Sequence, residues 1–130
     1  MRSRLVFDCP SLTKDRELDD DTPDGELLAR YLADGLPKHG FNAKRVVMED
    51  WGWIVVIDHR PFSLWIGCGF SGESDSGLHC FIQPDKPRIW RWFRPADARP
   101  TVERLGRAIE QLIRDRPDAS GVAWLAIGPP

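Results

Sequence analysis

The sequence predicts an α+β fold: an antiparallel meander sheet of about four to six strands with two helices packed on one face. Three observations predict it. From Asn42 to Arg94 apolar residues recur at every second position, between breaks made of Gly, Pro, Asp and Ser. Helical spacing appears on either side of this stretch and not within it. Five of the six tryptophans, Trp51, Trp53, Trp65, Trp90 and Trp92, crowd into the middle third among glycines, where large rings can cover sheet surface. A chain of 130 residues suits one domain with its own core.

Residues 1–21 read as an N-terminal segment, the run Leu5-Val6-Phe7 as an edge strand and Asp15, Glu17, Asp19, Asp20 and Asp21 as a loosely held acidic loop. Residues 22–130 read as a single α+β domain. Thr22-Pro23-Asp24 predicts a helix start with Thr22 as N-cap, and Leu27, Leu28, Tyr31, Leu32 and Leu36 supply its apolar stripe before Pro37 and Gly40 end it. A second helix starts after Pro100, capped by Thr101. Val102, Leu105, Ile109, Leu112 and Ile113 form its buried stripe, with Arg104, Arg107, Glu110 and Arg114 toward water. The apolar run Val122 to Ile127 predicts a last strand.

Pairing the central strands sorts their side chains. A two-residue loop at His59-Arg60 sets Ile57 opposite Phe62, Val55 opposite Leu64, Trp53 opposite Ile66 and Trp51 opposite Cys68, one wholly apolar face. Across the polar stretch Ser71 to Gly77, Phe70 pairs with Leu78, Cys68 with Cys80 and Ile66 with Ile82. This face needs the helices. The opposite face collects Gly52, Gly67 and Gly69 beside Ile54, Val56, Trp65, His79 and Phe81: a shallow glycine floor walled by aromatics.

That second face is the candidate recognition surface, with Trp65, Phe81, Ile54, His79, Gly52, Gly67 and Gly69 as its residues. The competing reading is structural, with Trp90, Trp92 or the C-terminal segment packed over the glycines. Glu49, Asp50, Arg88, Trp90, Arg91 and Trp92 form a secondary candidate. Residues 86–99 interleave aromatics with basic groups, a pattern that serves single-stranded nucleic acid. Asp85, Asp97 and a net charge of -2 argue against that use.

Nothing in the sequence assembles a catalytic site. Cys68 and Cys80 belong to the buried face, and His79, adjacent to Cys80 on a strand, points the other way. Glu49 and Asp50 diverge on extended chain, unlike an acid/base dyad. No spaced metal-ligand signature, glycine-rich dinucleotide fingerprint or phosphate loop occurs, so neither metal nor cofactor is expected. Three sparse cysteines suit a reducing cytoplasm, the N-terminus lacks a signal-peptide core, and no apolar run reaches the ~20 residues of a membrane span.

The blocks Glu49-Asp50-Trp51-Gly52-Trp53, Leu64-Trp65-Ile66-Gly67-Cys68-Gly69 and Cys80-Phe81-Ile82-Gln83-Pro84-Asp85-Lys86-Pro87 resemble a group of small uncharacterised bacterial proteins that carry them in this order. The resemblance covers roughly residues 45 to 125 and implies a bacterial source and a compact domain, without catalytic residues to carry over. Size, acidity and α+β plan are also similar to bacterial immunity proteins and secretion chaperones. The leading expectation is a non-enzymatic cytoplasmic protein-binding module, immunity-like or adaptor-like, that acts through the Trp65/Phe81 face or the acidic N-terminal segment. The alternative is a ligand-binding protein or enzyme with a pocket between helices and sheet, using Glu49, Asp50, His79 or Arg91.

Overall fold

A computed structural model describes residues 3–13, 22–85 and 98–126. Six strands form one antiparallel sheet: β1 (Ser3–Asp8), β2 (Ala43–Glu49), β3 (Gly52–Ile57), β4 (Ser63–Phe70), β5 (Gly77–Asp85) and β6 (Ser120–Ala126). Helices α1 (Glu26–Gly35) and α2 (Arg99–Arg114) lie against it. The strand order is β2-β3-β4-β5-β1-β6. Four consecutive strands make the expected meander, and β1 then inserts between its end and β6.

The Leu5-Val6-Phe7 run is therefore not an edge strand. It pairs with β5 on one side and β6 on the other, and all three side chains are buried. A strand with neighbours on both sides uses both its N–H and C=O rows, which suits a short run with no surface of its own. Among the described residues the edges are β2 and β6.

α1 begins at Glu26 rather than at Pro23. Gly25 precedes it with φ 117, a backbone conformation that disfavours a side chain, and a Cβ there would fall 2.5 Å from the Cys68 carbonyl oxygen. Packing against β4 thus decides where the helix starts, ahead of the Thr22 capping signal. Leu27, expected in the apolar stripe, lies outward at 47% exposed, while Leu28, Ala29 and Leu32 are buried. Beyond Gly35 the chain tightens into a 3-10 turn, Leu36–His39, closed by Gly40.

In α2, Pro100 lies inside the first turn and Ala98 is the N-cap, so Thr101 is a helical residue. Leu105, Ala108, Ile109, Leu112 and Ile113 are buried as a stripe; Val102 packs beside them. The stripe meets Val55, Ile57, Leu64, Ile66, Leu78, Leu5 and Phe7 in one core with α1. Tyr31 joins the helices by donating its hydroxyl to the Leu112 carbonyl at 2.5 Å.

The β4–β5 register is the expected one, with Cys68 opposite Cys80 and Phe70 opposite Leu78. The β3–β4 register differs. Trp53 faces Cys68, Val55 faces Ile66 and Ile57 faces Leu64. Residues Asp58 to Phe62 form a longer connection than a two-residue loop, since Phe62 is itself a core residue and His59 Nδ1 lies 3.1 Å from its carbonyl. A shift of two positions preserves alternation, so each face keeps its residues.

The ends of the sheet are tied to the α2–β6 junction. Asp118 accepts the Ser11 backbone N–H at 2.7 Å, the Ser11 hydroxyl at 2.9 Å and the Cys9 thiol at 3.4 Å. These bonds, the Ser11 amide first, hold the Asp118 carboxyl at about 2. Arg116 completes the clasp by donating to the Ser11 hydroxyl at 2.6 Å while its guanidinium lies 5.0 Å from the Tyr31 ring centre.

Candidate functional site

The face opposite the helices carries a continuous row across all six strands: Val47, Ile54, Gly67, Phe81, Arg4 and Leu125. Beside it run Arg45, Val56, Trp65 and Gln83 on one side and Gly69, His79, Val6 and Ala123 on the other. Alternation thus brings Trp65, Phe81, Ile54, His79, Gly67 and Gly69 to one surface, with Gly52 at its border. Both helices pack on the other face.

The glycines do not leave an open floor. A Cβ at Gly67 would fall 2.3 Å from Cζ of Phe81, so the Phe81 ring lies directly on the Gly67 backbone. At Gly69 the same test meets the His79 ring and the Trp51 carbonyl, each at 3.2 Å; at Gly52 it meets the Cys68 carbonyl at 2.3 Å. Each glycine is a place where a ring or a backbone comes closer than a side chain would permit. The aromatics fill the floor instead of walling it.

Trp51 is the residue that sequence reasoning misplaced. It was expected on the helix-covered face opposite Cys68. Instead β2 and β3 pair up to Glu49 and Gly52, leaving Asp50 and Trp51 as the hairpin turn, outside the strand alternation. Freed from that constraint, the Trp51 ring folds onto the glycine face. Its centre lies 5.6 Å from Phe81 and 6.5 Å from Trp65, and Trp65 stands edge-on to Phe81 at 5.7 Å. Trp51 stays 46% exposed while Trp65 and Phe81 are half-buried. The available signal was the Glu49-Asp50-Trp51-Gly52 turn chemistry, which outranks period-2 counting at a hairpin.

Polar groups border the three rings. The His79 ring lies 5.9 Å from Phe81, and Arg4 Nη1 donates to its Nδ1 at 3.4 Å. Burial first, then the Arg4 charge, lowers the His79 pKa below its ordinary 6.5, so the ring is neutral at pH 7. Glu73 holds Arg4 from the β4–β5 connection at 3.8 Å. Glu49 and Asp50 are exposed at the hairpin end. Arg88, Trp90, Arg91 and Trp92, the rest of the secondary candidate, lie outside the described residues, as does any cover that Trp90, Trp92 or residues 127–130 provide.

Glu49, Asp50 and His79 do not meet between helices and sheet. His79 faces away from that layer, Glu49 and Asp50 stand at a hairpin tip, and the layer holds buried aliphatic side chains. All three cysteines are buried thiols. Burial pushes Cys80 up to about 12 and Cys68 well above the ordinary thiol range, which suits core filling and not nucleophilic attack. Cys9, also raised by burial, keeps its proton and donates a hydrogen bond to the Asp118 carboxylate. Among the described residues no three His, Cys, Asp or Glu groups gather to hold a metal ion.

No protein family, curated protein or solved structure matches the chain. The arrangement on the glycine face must be read from its own chemistry. Three packed rings offer apolar area and quadrupole edges, with an arginine, a neutral histidine and carboxylates at the border; that suits docking of a partner surface. Among the described residues, no helix is long and apolar enough to cross a membrane.

Proposed function

We propose that this protein is a non-enzymatic binding module, immunity-like or adaptor-like, that engages another protein through the face built by Trp51, Trp65 and Phe81. The carrying observation is the seating of three mutually packed rings on a glycine row, on the face that neither helix covers, with Trp51 46% exposed at its summit. Partly buried tryptophans held by their neighbours are the usual anchors of protein interfaces, because little side-chain freedom remains to be lost on docking. A net charge of -2 supports a protein partner over nucleic acid. A cytoplasmic setting fits three cysteines kept as thiols.

The test is capture from a lysate of the source organism with wild type, Trp51→Ala and Trp65→Ala as baits, each first shown to be folded by circular dichroism. A protein retained by wild type and lost by both variants supports the reading. Equal retention by all three, or none by wild type, overturns it.

A further inference from the structure

The two edges of the sheet are built differently. β2 (Ala43–Glu49) carries Lys44, Arg45 and Glu49, the charged residues with which proteins keep an edge from pairing. β6 (Ser120–Ala126) reads Ser-Gly-Val-Ala-Trp-Leu-Ala and carries no charge and no proline. Its second backbone row faces away from β1, its one strand neighbour among the described residues. Trp124 and Leu125 are 38% and 37% exposed, one on each face of this edge.

We infer that β6 pairs with β6 of a second copy of this chain, antiparallel about a two-fold axis through Ala123, joining two sheets into one of twelve strands. That axis sets Trp124 opposite Val122 of the second copy, an aromatic against a β-branched residue, and brings Leu125 to the bulge at Gly121, where φ is 62 and no side chain stands in its way.

What selects a second copy, over an unrelated strand, is the charge order of α2. Trp124 ties β6 to this helix: its ring lies 3.5 Å from where a Cβ on Gly106 would be, and its Nε1 donates to Glu110 at 2.6 Å. The middle of α2 therefore sits level with the middle of β6. On that side α2 carries Glu103, Arg107, Glu110 and Arg114, acid and base in alternation at helical spacing. Reversed about the same two-fold, Glu103 faces Arg114 of the second copy, which within its own helix donates to Glu110 at 2.8 Å, and Arg107 faces that Glu110–Arg114 pair. The strand and the helix call for one common axis. α2 packs on β5 and β6, hence above β1, and with neighbouring strands ~4.8 Å apart the two helices stand roughly 14 Å from each other, a gap that facing Arg and Glu side chains span above the tryptophans.

Sedimentation velocity on the full chain at about 100 µM tests this. Wild type sediments as a dimer. Ala123→Lys places two ammonium groups at the axis and weakens the dimer about tenfold or more. An acidic variant, Arg114→Glu, and a basic one, Glu103→Lys, which leave the Trp124–Glu110 bond in place, each weaken self-association, and mixing them restores a dimer. Circular dichroism checks the fold, and the α2 variants keep the test independent of any loss of folding at Ala123. A monomeric wild type leaves the β6 edge to an extended segment of another protein and overturns the proposal. So does a dimer that survives Ala123→Lys, or one indifferent to both α2 variants.

Discussion

Two adjacent rows of the sheet run through all six strands, one residue apart. Met48, Trp53, Cys68, Cys80, Leu5 and Trp124 make the row toward the helices; Val47, Ile54, Gly67, Phe81, Arg4 and Leu125 make the row on the other side. The first row is closed by other elements: Leu5, Cys68 and Cys80 are sealed under helices whose leucines and isoleucines fill the layer. Among the described residues no helix lies over the second, and its rings Trp65 and Phe81 pack with Trp51. Aliphatic side chains need a second layer to leave water, whereas three tilted rings on a glycine floor bury much of their own area in place. An apolar face can thus persist without a helix over it, at the cost of leaving Trp51 exposed.

The comparison breaks most visibly on the closed side. Leu5→Ala removes a fully buried side chain from a central strand and is expected to cost about 2–5 kcal/mol by urea denaturation, because the layer above cannot collapse into the gap. On the open side the sensitive position is a residue without a side chain. Gly67→Val drives two methyls into the Phe81 ring and should cost about 1–3 kcal/mol, with a changed near-ultraviolet dichroism as Trp51 and Trp65 lose their neighbour. Unchanged spectra would mean that the rings do not depend on the floor.

Trp51→Ala sharpens the contrast from the other direction. Its ring is nearly half exposed, so stability should fall by no more than about 1 kcal/mol while partner capture is lost. The smallest effect is confined to a pH window. His79 is depressed below 6.5 when folded, so the unfolded chain takes up the proton first; stability is full above pH 6.5 and declines below it until the folded ring is itself protonated. His79→Gln should flatten that decline in melting temperatures measured from pH 7 to pH 5.

Period-2 spacing was enough to place Val55, Ile57, Leu64, Ile66, Cys68, Leu78 and Cys80 on the covered face, and Trp65, His79 and Phe81 on the other. It tolerated a β3–β4 register error, since a slip of two positions conserves the faces. Three features lay beyond it. Trp51 sits in a turn, where the rule that sorts strand residues does not apply. The start of α1 depends on Gly25 fitting against a carbonyl of β4, a contact between residues distant in sequence. The place of β1 is likewise non-local: Leu5-Val6-Phe7 reads the same at an edge as in the interior, and only the pairing with β5 and β6 distinguishes them.

That position of β1 bears on the order of assembly. Strand β1 has both its partners far downstream, Cys80 and Trp124 being the residues it must meet at Leu5. The meander β2 to β5 can form by local hairpins while β1 waits, and β6 has no place until β1 is seated. Until β5 is made, β1 therefore remains an unpaired apolar strand, the exposure that invites chaperones or aggregation. Removing β1 would therefore detach β6, and with it the edge that carries Trp124.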